Sequence, residues 1–223
     1  MNARDIKPNK LKCIIYGQSG TGKTEFACTF PHPFVIDLDN GMLSQMGKDV
    51  EYETVRTYED FMSTITAVEK DDKYETIIID SVTMLQELIQ ETILRLNNKK
   101  SMDIHCHMVL VDMFQQIFVG LTYKNKHVIV TAHEQLIQDD ITGAIRILPL
   151  IVGKKLPNQL PLFFDEVYRA EVNKNVEKGE ATYEYILNTR ATAKATAKSR
   201  LRLPAVITPP TYEQIMKLLK EKK

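Results

Sequence analysis

Apolar and polar residues follow two alternating patterns along the first 134 positions. Short, mainly apolar runs rich in β-branched residues occur at residues 11–16, 34–38, 76–79 and 127–132. Such runs are typical of strands buried on both faces of a parallel sheet. Between them, apolar residues recur at every third or fourth position, as on the inner face of a helix. We therefore predict an α/β fold in which crossover helices flank a central, mostly parallel sheet. Helices are predicted at residues 23–30, from Thr57 onward, at 82–96 and at 108–123.

The pattern changes after residue 134. Two β-hairpins are predicted, one at residues 136–148 around an Asp-Asp-Ile-Thr-Gly turn and one at residues 167–189. The proline-containing stretch 149–161 is interpreted as a loop, and Pro209-Pro210-Thr211 precedes a C-terminal helix with a capping box. We expect one domain over residues 1–223, made of a core at 11–134, an extension of hairpins and a basic segment at 135–208, and a terminal helix at 209–223.

The first predicted strand leads directly into GQSGTGKT at residues 17–24. This octet has the glycine, lysine and threonine positions of a phosphate-binding loop, whose glycines let backbone amides turn toward phosphate oxygens. In such a loop Lys23 reaches the β- and γ-phosphates and the Thr24 hydroxyl helps to bind Mg²⁺. The sequence therefore predicts binding of ATP with Mg²⁺. The candidate nucleotide-binding residues are Gly17, Gln18, Ser19, Gly20, Thr21, Gly22, Lys23, Thr24 and Glu25.

Polar side chains stand where the predicted core strands end. Asp80 follows an apolar strand, as expected of the aspartate that holds Mg²⁺ together with Thr24. Carboxyl ends of parallel strands meet at one edge of a sheet, and ligands bind there. Four separate segments are therefore expected to converge beside the phosphate loop. The polar residues that they bring are Asp37, Asp39, Asp80, Thr131, His133 and Glu134.

The residue after Asp80 is Ser81, so the adjacent Asp-Glu pair of hexameric AAA+ motors is missing. A carboxylate that activates water must then come from another strand and lie within hydrogen-bond reach of that water. Asp39 is the best-placed candidate, Asp37 is the next, and Glu134 is the third. Asp37 could equally cap a turn or a helix.

A family resemblance emerges from these residues. IIIDSVTML, which contains Asp80, resembles the second nucleotide motif of the RecA/Rad51/RadA recombinase superfamily, and FVIDLDNG resembles the recombinase strand whose last acid polarises the attacking water. That acid is normally Glu, and here it is the shorter Asp39, a departure that bears on the turnover rate. TAHEQ resembles the segment that senses the γ-phosphate, which implies that role for Thr131 or His133. Lys198-Ser199-Arg200 is similar to the Lys-x-Arg pair that RecA-like assemblies insert into a neighbour's ATP site.

Over residues 11–215 the chain most resembles the phage-encoded RecA-like single-strand annealing ATPases, which are phage AAA-type nucleotide-binding proteins. The resemblance implies a RecA-like P-loop NTPase core and ATPase activity, stimulated by DNA. It implies binding of single-stranded DNA, annealing in phage recombination, and homo-oligomeric rings or filaments with ATP at the subunit interfaces. Other phage recombination proteins are further expected partners. Two alternatives remain open, a small-molecule phosphotransferase and a nucleotide-gated interaction protein with little turnover.

A basic segment at residues 190–202 holds five cations and no acid. Arg190, Lys194 and Lys198 are spaced four apart, so a helix would align them on one face. For Arg190 and Lys194 we favour DNA backbone contact or a solvated surface. For Lys198 and Arg200 we favour stabilisation of transition-state charge at a neighbour's site, like an arginine finger.

Other candidates for ligand contact lie outside that segment. Lys154 and Lys155, in the predicted loop, are candidate DNA contacts, and Tyr123 could stack on adenine or a DNA base. His105-Cys106-His107 has no second ligand pair at a suitable spacing, which disfavours structural zinc.

Composition limits the remaining options. The 29 basic and 29 acidic residues give a formal net charge of zero, so affinity for nucleic acid would have to come from a local basic patch. Three cysteines are too few for a disulfide scaffold. The first ten residues lack the apolar region of a signal peptide, and we expect no apolar run of the length needed to cross a bilayer. We expect a cytoplasmic protein without membrane contact.

Overall fold

The computed structural model describes residue 2 and residues 10–138, 143–151, 156–177 and 180–221. Strands and helices alternate through the first two thirds of the chain. A short 3-10 helix at Met42–Gln45 lies between the second and third strands. The elements are β1 (Lys12–Gly17), α1 (Lys23–Ala27), β2 (Pro33–Asp37), β3 (Glu51–Thr54), α2 (Tyr58–Lys70), β4 (Thr76–Asp80), α3 (Val82–Leu96), α4 (Ile104–Thr122), β5 (His127–Gln138), β6 (Ile145–Pro149), α5 (Leu156–Phe163), β7 (Glu166–Glu177), β8 (Glu180–Asn188), β9 (Lys198–Ser199), β10 (Val206–Ile207) and α6 (Tyr212–Lys220).

The strands form one sheet in the order β10-β8-β7-β1-β5-β4-β2-β3, with β6 beside β5 and β9 beside β7. The pairs β1–β5, β1–β7, β4–β5, β2–β4 and β2–β3 are parallel, and the pairs that involve β6, β8, β9 or β10 are antiparallel. The prediction of an α/β fold with a mostly parallel sheet is confirmed. β5 separates β1, which leads into the predicted phosphate loop, from β4, which ends at Asp80.

Each face of the sheet has its own hydrophobic core. Alternate residues of β1 point to opposite faces, as the two-residue period of a strand requires. Ile14 and Tyr16 join the core beneath α2, α3, α4 and α5, whereas Cys13 and Ile15 join the core beneath α1 and α6. Helices therefore cover both faces, and the polar strand ends are left at the edges of the sheet.

Helix caps account for several of the element boundaries. Thr57 Oγ1 accepts a hydrogen bond from Asp60 N at 3.1 Å and Thr211 Oγ1 accepts one from Gln214 N at 3.1 Å, so both predicted caps are confirmed. α4 begins four residues earlier than predicted because Asp103 caps it, with Oδ1 accepting from Cys106 N at 2.9 Å. Such a bond satisfies one of the free amides of a first helical turn.

α4 is a helix of a length that was not expected from the sequence, since no apolar run of bilayer length was predicted. By length and composition alone it could cross a bilayer. One such helix is weak evidence of membrane contact, because core helices have the same properties. The inner face of α4, with Leu110, Phe114 and Phe118, is buried in the core under the sheet.

One prediction after residue 134 is wrong, and one conditional arrangement is not found. Residues 156–163 form α5 and not a loop; Pro157 lies in the first turn, where a missing N–H costs little, and Pro161 lies inside the helix. The basic segment is not helical, because residues 190–197 run as irregular chain and 198–199 form β9. Both predicted hairpins are confirmed as β5–β6 and β7–β8. The predicted turn residues 139–142 and the candidate DNA contacts Lys154 and Lys155 lie outside the described residues.

The burial of His127 predicts that the folded protein loses stability in acid. Its Nδ1 accepts a hydrogen bond from Leu11 N at 3.0 Å. Burial lowers the pKa of His127 from 6.5 to about 4; nearby Lys10 and Lys12 also lower it and Glu75 raises it. The unfolded chain then binds a proton at a higher pH than the folded chain does. Stability should therefore fall as the pH drops from 6.5 toward 4, by about 3 kcal/mol from this residue.

The variant His127→Asn keeps an acceptor near the Nδ1 position but does not titrate. We expect its free energy of unfolding in urea to fall less steeply than that of the wild type between pH 7 and pH 4.5. His107→Asn, at an exposed position on α4, is the matched control and should follow the wild-type curve. Equal slopes for His127→Asn and the wild type would refute the prediction.

Candidate active site

The phosphate loop begins at Gly17, where the backbone of β1 lies close to that of β7. Gly17 lies opposite His133 in β5, and a Cβ at Gly17 would lie 2.5 Å from the carbonyl oxygen of Ala170 in β7. Only glycine fits there. Further along, Gly22 has a left-handed φ of 77° and directly precedes α1, a conformation that costs glycine little. The loop therefore curls from the end of the strand into the helix, as the octet predicted.

The lysine of the loop is held over its backbone. Lys23 is 8% exposed, and its Nζ donates to the carbonyl oxygens of Gly17 at 3.1 Å and Gln18 at 2.7 Å. Burial lowers the pKa of Lys23, while the nearby carboxylates of Asp80, Asp39 and Glu134 raise it, with a net lowering. Carbonyl oxygens are weaker partners for an ammonium than phosphate oxygens. The side chain is thus positioned to exchange its loop carbonyls for a polyphosphate.

Asp80 joins the loop to the middle of the sheet. Its Oδ2 accepts from Thr24 Oγ1 at 2.6 Å, and its Oδ1 accepts from Thr131 Oγ1 of β5. Burial raises the pKa of Asp80; hydrogen bonds from Thr131 and Thr24 oppose the rise, and the charges of Asp39 and Asp37 add to it. A carboxylate and a threonine hydroxyl are oxygen ligands of the kind that Mg²⁺ prefers. Thr24 and Asp80 therefore fit the predicted metal position, where Mg²⁺ would neutralise phosphate charge.

Asp39 lies beside this pair. The amides of Leu38 and Asp39 donate to the carbonyl oxygen of Asp80 at 2.7 and 3.2 Å, which fixes the chain after β2 against the end of β4. Asp39 Oδ1 accepts from Ser81 Oγ at 2.8 Å, and Oδ2 lies 3.2 Å from His133 Nε2. Burial raises the pKa of Asp39, but the hydrogen bonds from His133 and Ser81 outweigh it and lower the pKa overall. The side chain is therefore kept as a charged acceptor.

The two other base candidates are engaged in structural contacts. Asp37 is 1% exposed; its Oδ1 accepts from Gly41 N at 3.0 Å and its Oδ2 from Thr54 Oγ1 at 3.3 Å. It holds the turn after β2, the alternative that the sequence left open. Glu134 accepts from Arg169 Nε at 3.0 Å and its side chain is 4% exposed. Asp39 is the one of the three that faces the Thr24–Asp80 pair with a hydroxyl and an imidazole as partners.

Lys198 and Arg200 lie away from the phosphate loop of their own chain. Arg200 Nη1 contacts Asp165 Oδ1 at 2.6 Å, and Asp165 N donates to Lys12 O at the start of β1. Lys198 Nζ donates to the carbonyl oxygen of Pro161 at 2.8 Å. Since β1 rises about 3.3 Å per residue, its first and last residues are about 17 Å apart. A role within the same subunit is excluded, and the predicted role at a neighbour's site stays a prediction.

Two other candidates are also placed. Glu25 pairs with Lys48 on the surface beside the loop. Tyr123 is 85% exposed and precedes Lys124, whose carbonyl accepts from Lys12 Nζ at 2.6 Å. It therefore lies at the edge of the sheet where β1 begins, far from the phosphate loop.

The sequence did not point to two side chains that touch the site. The Thr83 hydroxyl accepts from His133 N at 3.2 Å and donates to Leu150 O at 3.1 Å, which ties the end of β5 to α3 and to the chain after β6. The ring of Tyr185 in β8 lies against Gly22. Both contacts join residues far apart in the chain, and no local pattern indicates them.

Comparison with known proteins identifies the family. Residues 9–201 match the family model described as an AAA domain. The chain belongs to this AAA domain family. None of the curated proteins is a significant match. Among solved structures, it is similar to the flagellar accessory protein FlaH from Methanocaldococcus jannaschii, with 13% identity over 85% of this chain and 82% of that chain, and a TM-score of 0.39.

The AAA domain is thus a nucleotide-binding ATPase module with a P-loop NTPase core. Its second motif nevertheless carries Ser81 after Asp80, and the candidate base Asp39 lies two residues after the end of β2, the strand next to β4. The Ser81 hydroxyl does not replace a base. It donates a hydrogen bond to Asp39 Oδ1. The peptide bond between Asp80 and Ser81 is cis.

The geometry predicts that Asp39 is the general base of this AAA domain. Asp39→Asn should lower kcat for ATP hydrolysis about 10²- to 10³-fold, because the amide cannot accept the proton of the attacking water. The Kd for ATP with Mg²⁺ should stay within about threefold, since Lys23, Thr24 and Asp80 are intact.

Glu134→Gln is the comparison variant, and we expect its loss of kcat to be much smaller. Single-turnover hydrolysis and nucleotide titration by calorimetry would measure the two constants separately. A near-normal rate in Asp39→Asn together with a large loss in Glu134→Gln would transfer the role to Glu134.

Proposed function

We propose that this AAA domain hydrolyses ATP with Mg²⁺, binds single-stranded DNA and promotes strand annealing in phage recombination. It would act as a homo-oligomeric ring or filament with ATP at the subunit interfaces, in the cytoplasm and with other phage recombination proteins as partners. The observation that supports this function best is the position of Asp39. It follows β2, its amide donates to Asp80 O, and it is the acid to which the resemblance to recombinases assigns water activation.

Two exposed cations, Arg146 and Lys194, lie on and beside the hairpin that continues from the candidate active site. β5 passes through the site at Thr131 and His133 and continues into the β5–β6 hairpin. The irregular chain after β8 returns to this hairpin, where Ile147 N donates to Lys194 O at 2.7 Å. The side chain of Lys194 is exposed there, and Arg146 lies on the neighbouring strand β6. Cations next to the continuation of β5 support DNA contact near the ATP site.

The phosphotransferase alternative loses its main support. A phosphotransferase would need a lid and an acceptor pocket, and residues 190–202 were the segment that could serve as the lid. Arg200 and Lys198 instead lie near the start of β1, and Lys194 lies beside β6. None of these three side chains covers the phosphate loop of its own chain.

Single-stranded DNA is expected to raise the ATPase rate and to bind through Lys194. Lys194→Ala should weaken oligonucleotide binding and reduce the slope of log Kobs against log salt by about one, since one phosphate contact is lost. The Kd for ATP should not change. Lys70→Ala, an exposed lysine at the end of α2, is the matched control and should leave both DNA binding and the salt slope unchanged.

Fluorescence anisotropy over a salt series, ATPase assays with and without oligonucleotide, and annealing of complementary strands would test these expectations together. A measurable ATPase rate that DNA does not raise, without annealing, would contradict the proposal. That result would favour a nucleotide-gated interaction protein.

Arg200 is expected to act on the ATP site of a neighbouring subunit. Arg200→Ala should reduce kcat about 10³-fold, as for loss of an arginine finger, while the Kd for ATP changes little. Mixing Arg200→Ala with Lys23→Ala subunits should restore part of the rate, because some interfaces then combine an intact loop with an intact arginine.

Asp165→Asn is a control that weakens the ion pair of Arg200 and keeps the arginine; it should retain the ATPase rate. Light scattering under the assay conditions would confirm that the variants still assemble. If assembled mixtures recover no activity, the role in trans is wrong.

A further inference from the structure

β7 and β8 form a two-stranded ribbon that passes the phosphate loop. β1 pairs with β7 up to Tyr16 opposite Arg169. β7 and β8 stay paired for eight further residues of β7, to Glu177 opposite Glu180. At about 3.3 Å per residue the ribbon extends roughly 26 Å beyond that point. It therefore stands next to the loop on the side of β1 that faces away from β5.

One face of this ribbon carries aromatic side chains outward from the core. Leu187 is buried with Phe26 of α1, and residues two apart on a strand share a face. Tyr185 and Tyr183 therefore lie on the same face of β8 as Leu187, in the part of the ribbon that extends beyond β1. Tyr183 is 60% exposed, and Tyr185 is 44% exposed. Tyr185 lies opposite Val172, at the level where the loop turns into α1.

Tyr185 is in direct contact with the loop. A Cβ at Gly22 would lie 3.1 Å from Cδ1 and 3.6 Å from Cε1 of the Tyr185 ring. Glycine at this position thus lets the ring lie directly against the backbone of the loop. Part of the ring faces the glycine, and the remainder is open to solvent.

The direction of a bound polyphosphate follows from the strand order. Thr24 and Asp80 would hold Mg²⁺, which would neutralise charge on the terminal phosphates, so these residues mark the terminal-phosphate side of the site. β5, β4 and β2 all lie on that side of β1. The terminal phosphate therefore points toward β4, and the nucleoside leaves the loop in the opposite direction. On that side stand β7 and β8.

We propose that Tyr185 is a nucleoside-binding residue, whose ring stacks on the base of the triphosphate held by the phosphate loop. This inference rests on nucleotide binding at that loop. Every base has a π-face, so stacking of this kind does not select one base over another. Tyr185 supplies affinity for the nucleoside, with little preference between ATP and GTP.

The test separates contact with the base from support of the loop. Tyr185→Ala should raise the Kd for ATP about 10- to 100-fold and the Kd for GTP by a similar factor. The Kd for inorganic tripolyphosphate with Mg²⁺ should stay unchanged, because that probe has no base. Tyr185→Phe should bind like the wild type. Tyr185→Leu, which fills much of the space without a π-face, should bind like the alanine variant.

Tyr183→Ala is the matched control, on the same face and farther from the loop, and should leave all three constants unchanged. Calorimetry measures the constants, and thermal unfolding confirms that each variant folds. Equal losses for ATP and tripolyphosphate in Tyr185→Ala would overturn the inference, since the ring would then only support the loop. Unchanged ATP affinity with weaker oligonucleotide binding would also overturn it. A wild-type chain that binds neither probe would instead refute nucleotide binding itself.

Discussion

The buried carboxylate of Asp80 is the constraint on which the site depends. Moving a carboxylate out of water is costly, and buried charges are normally paired or coordinate metals. Two hydroxyls, from Thr24 and Thr131, donate to Asp80, yet burial still raises its pKa. Neutral hydroxyls stabilise an anion less than a cation would. The site therefore favours binding of a cation next to Thr24, and the loop that carries Thr24 supplies Lys23 close by.

β5 links the phosphate end of the site to the proposed DNA surface. Thr131 contacts Asp80, His133 contacts Asp39, and from the next residue, Glu134, the strand pairs with β6. Leu150 N donates to His133 O at 2.7 Å, and the Thr83 hydroxyl bonds both residues. His133, in the middle of β5, is thus held by Asp39, by Thr83 of α3 and by Leu150 after β6. A change in the Asp39–His133 contact would act on the base of the hairpin through a continuous set of hydrogen bonds.

Local patterns predicted those parts of the fold that depend on local chemistry. The strand of Asp80, helix α3, the caps at Thr57 and Thr211, and the phosphate loop follow from neighbouring residues in the chain. The addition of β7 beside β1 does not, because it joins positions about 150 residues apart with no local signal. That pairing also decides where Arg200 lies and which ring meets Gly22. A loop was predicted in place of α5 because its two prolines disfavour a helix more strongly than the spacing of its apolar residues favours one.

Lys198 and Arg200 differ in how freely they could act on a neighbour. The Lys198 ammonium donates to Pro161 O and is partly buried, and burial lowers its pKa. Moving it would leave a carbonyl without its donor at the end of α5. Arg200 is held by one ion pair to Asp165, with 60% of its side chain exposed. Such surface pairs contribute about 0.2–1 kcal/mol, which a transition state with developing phosphate charge would exceed. The arginine is therefore the mobile member of the pair, and the lysine stabilises the chain that presents it.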